Sequence, residues 1–144
     1  VIRPARLTDL PVLCGMAAQF YEASDFGKLA TLSPARVELR LCLAVMHPDC
    51  NIVLMRDDGM GMIWIELYES PVSEDLIASE RIVWAHDSAR GFGGGKLIAE
   101  AKKRAKAAGA TMFTLSAHRD NKAASDLYER HGYQAADTMY FQRI

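Results

Sequence analysis

At 144 residues, half of them hydrophobic and 24% charged, the chain has the size and composition of one soluble domain spanning 1–144, large enough to bury a core. A formal net charge of -1 leaves no electrostatic footprint for nucleic acid, and no apolar run reaches membrane-spanning length. Cys14, Cys42 and Cys50 are an odd set without metal-ligand spacing. They argue against a disulfide framework or a zinc site, and for a reducing cytoplasm. No signal peptide is recognisable, and the opening residue is Val1 rather than Met, consistent with a gene product that begins upstream.

In chain order, Val1 to Leu7 reads as a first strand. Thr8 then supplies an N-cap, and Pro11 sits in the first helical turn, where its missing N–H costs nothing. Leu10, Leu13, Ala17, Phe20 and Tyr21 recur at helical spacing, and this helix gives out between Ser24 and Gly27. Ser33-Pro34 opens a second helix, with Val37, Leu41, Ala44 and Val45 on its apolar side and a stop before His47-Pro48. Asn51 to Arg56 is a strand, Asp57-Asp58-Gly59 a hairpin turn, and Gly61 to Tyr68 the returning strand. Glu69 to Ser79 reads as a polar connection.

The next stretch organises the rest. Ile82-Val83-Trp84-Ala85 reads as a buried strand, Arg90-Gly91-Phe92-Gly93-Gly94-Gly95 as a turn with little bulk near the backbone, and Lys96 onward as a helix closed at Gly109. Strand, glycine turn and helix together present unpaired N–H donors and the positive end of a helix dipole to an anion. The dinucleotide pattern G-x-G-x-x-G fails, because Lys96 or Ile98 falls at the third glycine position. A P-loop fails too, since Arg90 and Leu97 replace its first glycine and its Ser or Thr. Ala110 to Ala117 reads as a further strand reached by a crossover. Asp120-Asn121 opens a helix that packs through Ala124, Leu127 and Tyr128 and closes at Gly132, and Thr138 to Arg143 alternates as a final strand. The order gives an α+β fold with a mixed sheet rather than a doubly wound one.

One glycine pattern does fit: R-x-x-G-x-G through Arg90, Gly93 and Gly95. It resembles the pyrophosphate loop of the GCN5-related N-acetyltransferases, the GNAT family. Asn121, Ala124, Tyr128 and Gly132-Tyr133 match the family's second block, N-x-x-A-x-x-x-Y-x-x-x-G-[FY], and Ile2-Arg3-Pro4-Ala5 with Thr8-Asp9-Leu10-Pro11 resembles its opening. The resemblance implies a GNAT-like mixed, mostly antiparallel central sheet with helices on both faces. It implies acetyl-CoA as acyl-donor co-substrate, no metal, and transfer to a primary amine of a small molecule or peptide by direct attack. The competing class is a non-catalytic acyl-CoA-binding module. No nucleic-acid or membrane partner is implied, and the resemblance is compatible with a homodimer. Gly94 departs from the family, standing where a branched apolar residue is usual, and Phe92 stands where a polar or basic one is usual.

By the same resemblance, backbone N–H groups from Arg90 through Gly91, Phe92, Gly93, Gly94 and Gly95 to Lys96 would hold the CoA pyrophosphate. Arg90 and Lys96 either add charge or are solvated surface cations. Val83 to Ala85 would pair with the pantetheine arm as an added strand does. Asn121 would bond the cofactor, cap its helix, or both. Tyr128 would be the general acid that protonates the departing thiolate, against the plainer reading of a core tyrosine. Glu80 is the first candidate for the base that takes the amine proton, with Glu66 second, acting directly or through water. His86 and His118 are read as structural or exposed. Tyr21 to Leu32 and Glu66 to Glu80 would flank the acceptor, with Tyr21 and Glu66 touching it. Their acid excess favours a cationic amine.

Overall fold

The computed structural model describes residues 1–86 and 92–144, with Phe92 described through its backbone. Five strands form one sheet in the order β1-β2-β3-β4-β5: Ile2–Pro4, Asn51–Arg56, Gly61–Glu69, Leu76–Ala85 and Met112–Thr114. The first four pair antiparallel, and β5 runs parallel to β4. A 3-10 turn (Leu7–Asp9) and α1 (Leu10–Ala23), α2 (Asp25–Leu29) and α3 (Pro34–Met46) precede β2, α4 (Phe92–Ala107) links β4 to β5, and α5 (Lys122–Arg130) follows. The sheet is thus mixed and mostly antiparallel within an α+β fold.

Strand alternation sorts the core into two layers. Val53, Met55, Met62, Trp64 and Ile82 meet Leu13, Met16 and Ala17 of α1 and Leu41 and Ala44 of α3. On the opposite face, Ile52, Leu54, Ile63, Ile65 and Leu67 meet Leu97, Ile98, Ala101 and Ala105 of α4. Tyr128 and Tyr133 pack against this second layer. Gly61 allows the close fit of α4 on β3, because a Cβ there would lie 3.0 Å from Leu97 Cδ1.

The ladder between β3 and β4 carries one irregularity, between Trp64 and Ile65. Trp64 pairs with Ile82 and Ile65 with Glu80, so Arg81 is the extra residue of a β-bulge. A one-residue insertion exchanges the faces of a strand. Ile82 therefore belongs to the α1–α3 layer while Ala78, four residues earlier, belongs to the α4 layer.

Several expectations are corrected. The polar connection ends early: Ser70 N donates to Asp75 O at 2.9 Å, and β4 already begins at Leu76, opposite Glu69. Thr8 lies within the 3-10 turn rather than capping α1. The neighbouring Asp9 accepts from Arg6 N at 2.7 Å and pairs with Arg3 instead. The chain after α1 re-enters a short helix, α2, capped by Ser24. α4 starts at Phe92, not Lys96, so Gly93, Gly94 and Gly95 form its first turns. Glycine disfavours helix, but burial of Leu97, Ile98 and Ala101 sets the helix phase and overrides that preference. β5 is only three residues long. The alternating tail adds no strand: Phe141 lies 6.2 Å from the Phe26 ring and Arg143 donates to Leu29 O at 3.2 Å, contacts that lay it along α2.

The expected helix starts at Ser33-Pro34 and Asn121 hold, as does the stop at His47. Ser33 Oγ accepts from Arg36 N and Asn121 Oδ1 from Ala124 N. Gly132 follows α5 at φ 82°, the left-handed conformation that ends helices.

Candidate active site

β4 and β5 part company after three rungs. Ile77 pairs with Met112, Ala78 with Phe113 and Ser79 with Thr114, and the Thr114 hydroxyl donates to Ser79 Oγ at 3.0 Å. Just past this point Ser116 N donates to the Glu80 carboxylate at 2.6 Å. A carboxylate here holds the chain that leaves β5, and the paired region ends beside it.

The bulge is what makes Glu80 available. By alternation with Leu76 and Ala78 its side chain joins the α4–α5 face. Burial pushes its carboxyl up to about 7, partly opposed by the Ser116 N–H, which favours the charged form. A carboxyl poised there can exchange a proton near neutral pH.

Tyr128 reaches the same place from α5. Asn121 fixes the start of that helix, and Tyr128 lies two turns later with its ring 6.0 Å from that of Tyr133. Its hydroxyl donates to Ser116 O at 3.2 Å. Burial, then the Glu80 charge, then Tyr133 push the phenol above its ordinary value, so it stays protonated. Glu80 and Tyr128 therefore hold the two sides of one residue, Ser116: the carboxylate takes its N–H and the phenol binds its carbonyl.

Of the predicted cofactor residues, Arg90 and Gly91 lie outside the described residues, and Phe92 is known here only as the first residue of α4. Gly93 is buried, whereas a Cβ on Gly94 or Gly95 would meet nothing within 4 Å. These glycines occupy the first turn of α4, whose N–H groups have no partner within the helix. Lys96 is exposed and lines a groove of about 610 Å³ with Ile2, Arg56 and Lys103, on the β1 side of α4. Val83 and Ala85 sit on β4 opposite Ile63 and Gly61. Asn121 spends its side-chain oxygen on the α5 cap.

On the other face of the sheet, Tyr21 is half-buried near the end of α1. Its ring stands edge-on to Phe20 at 5.2 Å, and Phe20 lies 5.9 Å from the His118 ring. Burial raises the Tyr21 phenol, with smaller contributions from the Arg81 charge, which lowers it, and the Glu80 charge, which raises it. Glu66 is ion-paired with Arg81, Asp25 with Lys28, and Asp75 accepts from Ser73 and Thr111. Asp25 and Glu66 therefore have cationic partners, whereas Asp75 is held by neutral hydroxyls that leave its charge in place. His86 N donates to Met60 O, a structural contact.

Sequence reading missed Ser116, which acts through its backbone, and Arg81, whose bulge turns Glu80. Neither leaves a side-chain pattern: backbone groups have none, and Ala78, Glu80, Ile82 and Trp84 read as one unbroken alternation. Among the described residues no group of three or more His, Cys, Asp or Glu could hold a metal ion, and no helix is long and apolar enough to cross a membrane.

The sequence profile of the acetyltransferase (GNAT) family matches residues 17–133. An uncharacterized N-acetyltransferase of Bacillus subtilis, YhfO, is 27% identical over 141 residues, covering 92% of this chain and 89% of that protein. Solved structures share the fold at low identity. A Bacillus halodurans C-125 transcriptional regulator superposes with a TM-score of 0.78 at 21% identity, over 100% of this chain and 99% of that one. A Trypanosoma brucei acetyltransferase gives 0.72 at 16%. A ribosomal-protein-alanine N-acetyltransferase of Brucella melitensis gives 0.72 at 19%, and both cover 100% of this chain and 99% of theirs.

Proposed function

Since the chain belongs to the GNAT acetyltransferase family, whose reaction is acyl transfer from acyl-CoA, we propose that it moves an acetyl group from acetyl-CoA to a primary amine of a small molecule or peptide by direct attack. The observation that carries this reading is the convergence of Glu80 and Tyr128 on Ser116, where β4 and β5 separate. Those two groups differ in the direction in which they exchange protons. The Glu80 carboxyl, held near 7, takes a proton from the incoming ammonium, directly or through one water. The neutral amine attacks the thioester carbonyl and forms the C–N bond. As the C–S bond breaks, the thiolate takes the Tyr128 phenolic proton; the new C–N nitrogen gives up its second proton through water to restore the phenol, and Glu80 releases its own to solvent. The first turn of α4, with its unpaired N–H groups and the positive end of its dipole, receives the pyrophosphate. The interval between Glu80 and Ala85 receives the pantetheine arm. Tyr21 faces the acceptor. One domain carries the whole reaction, and the free Cys14, Cys42 and Cys50 suit a reducing cytoplasm.

The test is release of CoA thiol from acetyl-CoA with spermidine, kanamycin, lysine and an unblocked alanyl peptide. Thiol release matched by an acetylated amine in mass spectrometry is the expected result. Tight acetyl-CoA binding with no release across such a panel would instead return the non-catalytic acyl-CoA-binding module.

A further inference from the structure

The corner between α1 and α2 is built more tightly than its share of the core requires. α2 buries none of its own residues, so packing alone does not call for a fixed turn there. Yet Ser24, a polar residue, is only 3% exposed. Its hydroxyl donates to Tyr21 O at 2.7 Å and accepts from Gly27 N at 2.9 Å, while its own N–H donates to Tyr21 O at 3.1 Å. Gly27 closes the corner by contact. A Cβ at that position would stand 1.6 Å from Tyr21 O and 2.6 Å from Tyr21 C. Both are backbone atoms, so no side-chain rotation could relieve the clash. Apart from the Gly27 N–H bond to Ser24 Oγ, these constraints end on the carbonyl group of Tyr21.

We propose that Ser24 and Gly27 are positioning residues, which fix the Tyr21 backbone so that its ring forms one wall of the acceptor site and selects the amine by shape. The proposal rests on the acetyl-transfer reading for the identity of the ligand, while the corner itself rests on geometry. The ring is held from two directions: the corner sets its backbone and Phe20 meets it edge-on. Phe20 in turn touches His118, in the loop that carries Ser116 out of β5. Packed rings thus connect the wall to the loop that leads on from Ser116. A ring displaced by even an ångström would misplace the amine, an error that can cost a large factor in rate.

The experiment has a ligand-free arm and a kinetic arm. Tyrosine labelled with carbon-13 at Cζ reports phenol ionisation by NMR, and Tyr21→Phe assigns the signal. In wild type the Tyr21 phenol should ionise above ordinary tyrosine. In Gly27→Ala it should fall back toward the ordinary value as the ring swings into water, and Ser24→Ala should move it the same way by less. Ser24→Thr, which keeps the hydroxyl, should restore it. For whichever of spermidine, kanamycin, lysine or alanyl peptide is acetylated, Gly27→Ala should raise the amine KM roughly tenfold. Its acetyl-CoA KM should be unchanged. Wild-type Tyr21 ionisation and amine KM in folded Gly27→Ala and Ser24→Ala would overturn the proposal. If wild type acetylates none of the four, the acceptor role falls with the activity, whereas a titration that still shifts leaves the corner as the device that orients Tyr21.

Discussion

The two edges of β4 are built for different purposes. Along β3, pairing runs from Leu76 to Ala85 and survives a bulge. Its side chains there include Ile82, fully buried opposite Trp64. Along β5 it has three rungs, and beyond them a carboxylate accepts from the Ser116 N–H. The first edge spends its hydrogen-bonding capacity on the fold. The second leaves an interval in which the Glu80 and Tyr128 side chains meet Ser116, the place we propose for the ligand. One strand can do both because the bulge at Arg81 separates its two halves and turns Glu80 to the working face.

The sharpest way to break this comparison is to alter one group on each edge. Tyr128→Phe removes the phenol but keeps the ring on its apolar layer. Turnover should fall by roughly 10²–10⁴, while losing the bond to Ser116 O costs only about 0.5–1.5 kcal/mol of stability. Ile63→Val, on β3 opposite Val83, should cost a similar 0.5–1.5 kcal/mol with turnover kept. Rapid quench with urea melts reads both. Equal turnover in wild type and Tyr128→Phe, with chemistry rate-limiting, would take the phenol out of the mechanism.

Glu80 gives the next largest effect and a sign to check. Its folded carboxyl titrates at about 7, above an unfolded glutamate near 4.3. Between those values the folded state holds a proton that the unfolded state has lost. The stability this confers is complete at low pH and declines as pH rises through 7. The base it supplies has the opposite profile: activity should rise as pH passes 7. Glu80→Gln keeps an acceptor for Ser116 N–H and should remove both trends, lowering turnover at pH 8 by about 10². An unchanged ascending limb in the variant would assign the base elsewhere, with Glu66 next to test.

How much of this was legible in the residues follows from what side chains report. Periodicity located α1, periodicity and caps located α3 and α5, and the 57–59 turn located the β2–β3 hairpin, since each leaves a repeating or local pattern. Tyr128 and Glu80 were legible as residue types joined to a family resemblance. The start of β4 was hidden by polar residues around a turn, and α2 by Gly27, which reads as a breaker but here is the residue that fits against Tyr21 O. The start of α4 was hidden by its glycines, whose low propensity is overruled by the buried residues after them. The tail alternates like a strand, yet Phe141 and Arg143 find partners on α2 instead. Bulge and opening are properties of pairing between strands, and no single segment encodes them.

Gly95 allows a test in which stability and binding should move in opposite directions. A Cβ there meets no neighbour within 4 Å, so Gly95→Ala should stabilise the ligand-free helix by about 0.5–1 kcal/mol. The same methyl group would stand among the N–H donors of the first turn and should weaken acetyl-CoA binding roughly tenfold, about 1.4 kcal/mol. Thermal melts without ligand and calorimetric titration with acetyl-CoA measure the two. Tighter or equal binding in a stabilised Gly95→Ala would move the pyrophosphate away from this turn.

The smallest effect concerns the acidic residues around Tyr21, which the sequence presents as a lure for a cationic amine. The pairing of Asp25 with Lys28 and of Glu66 with Arg81 reduces the field they can project. The Asp25–Lys28 pair is also solvent-exposed, with side chains 43% and 66% accessible, and charges so placed interact weakly and are screened by salt. Glu22→Gln with Asp25→Asn should therefore raise the KM for spermidine only about two- to threefold at low ionic strength, well under 1 kcal/mol. At 0.15 M salt, where screening acts over about 8 Å, the difference should vanish. Acetyl-CoA KM should be unaffected at either salt concentration. A tenfold rise that persists in salt would mean that one of these carboxylates touches the amine, and the acceptor would then be held by α1 and α2 rather than by the opened edge of β4. No change even at low salt would leave Glu22 and Asp25 as a solvated face, with selection left to the shape of the Tyr21 wall.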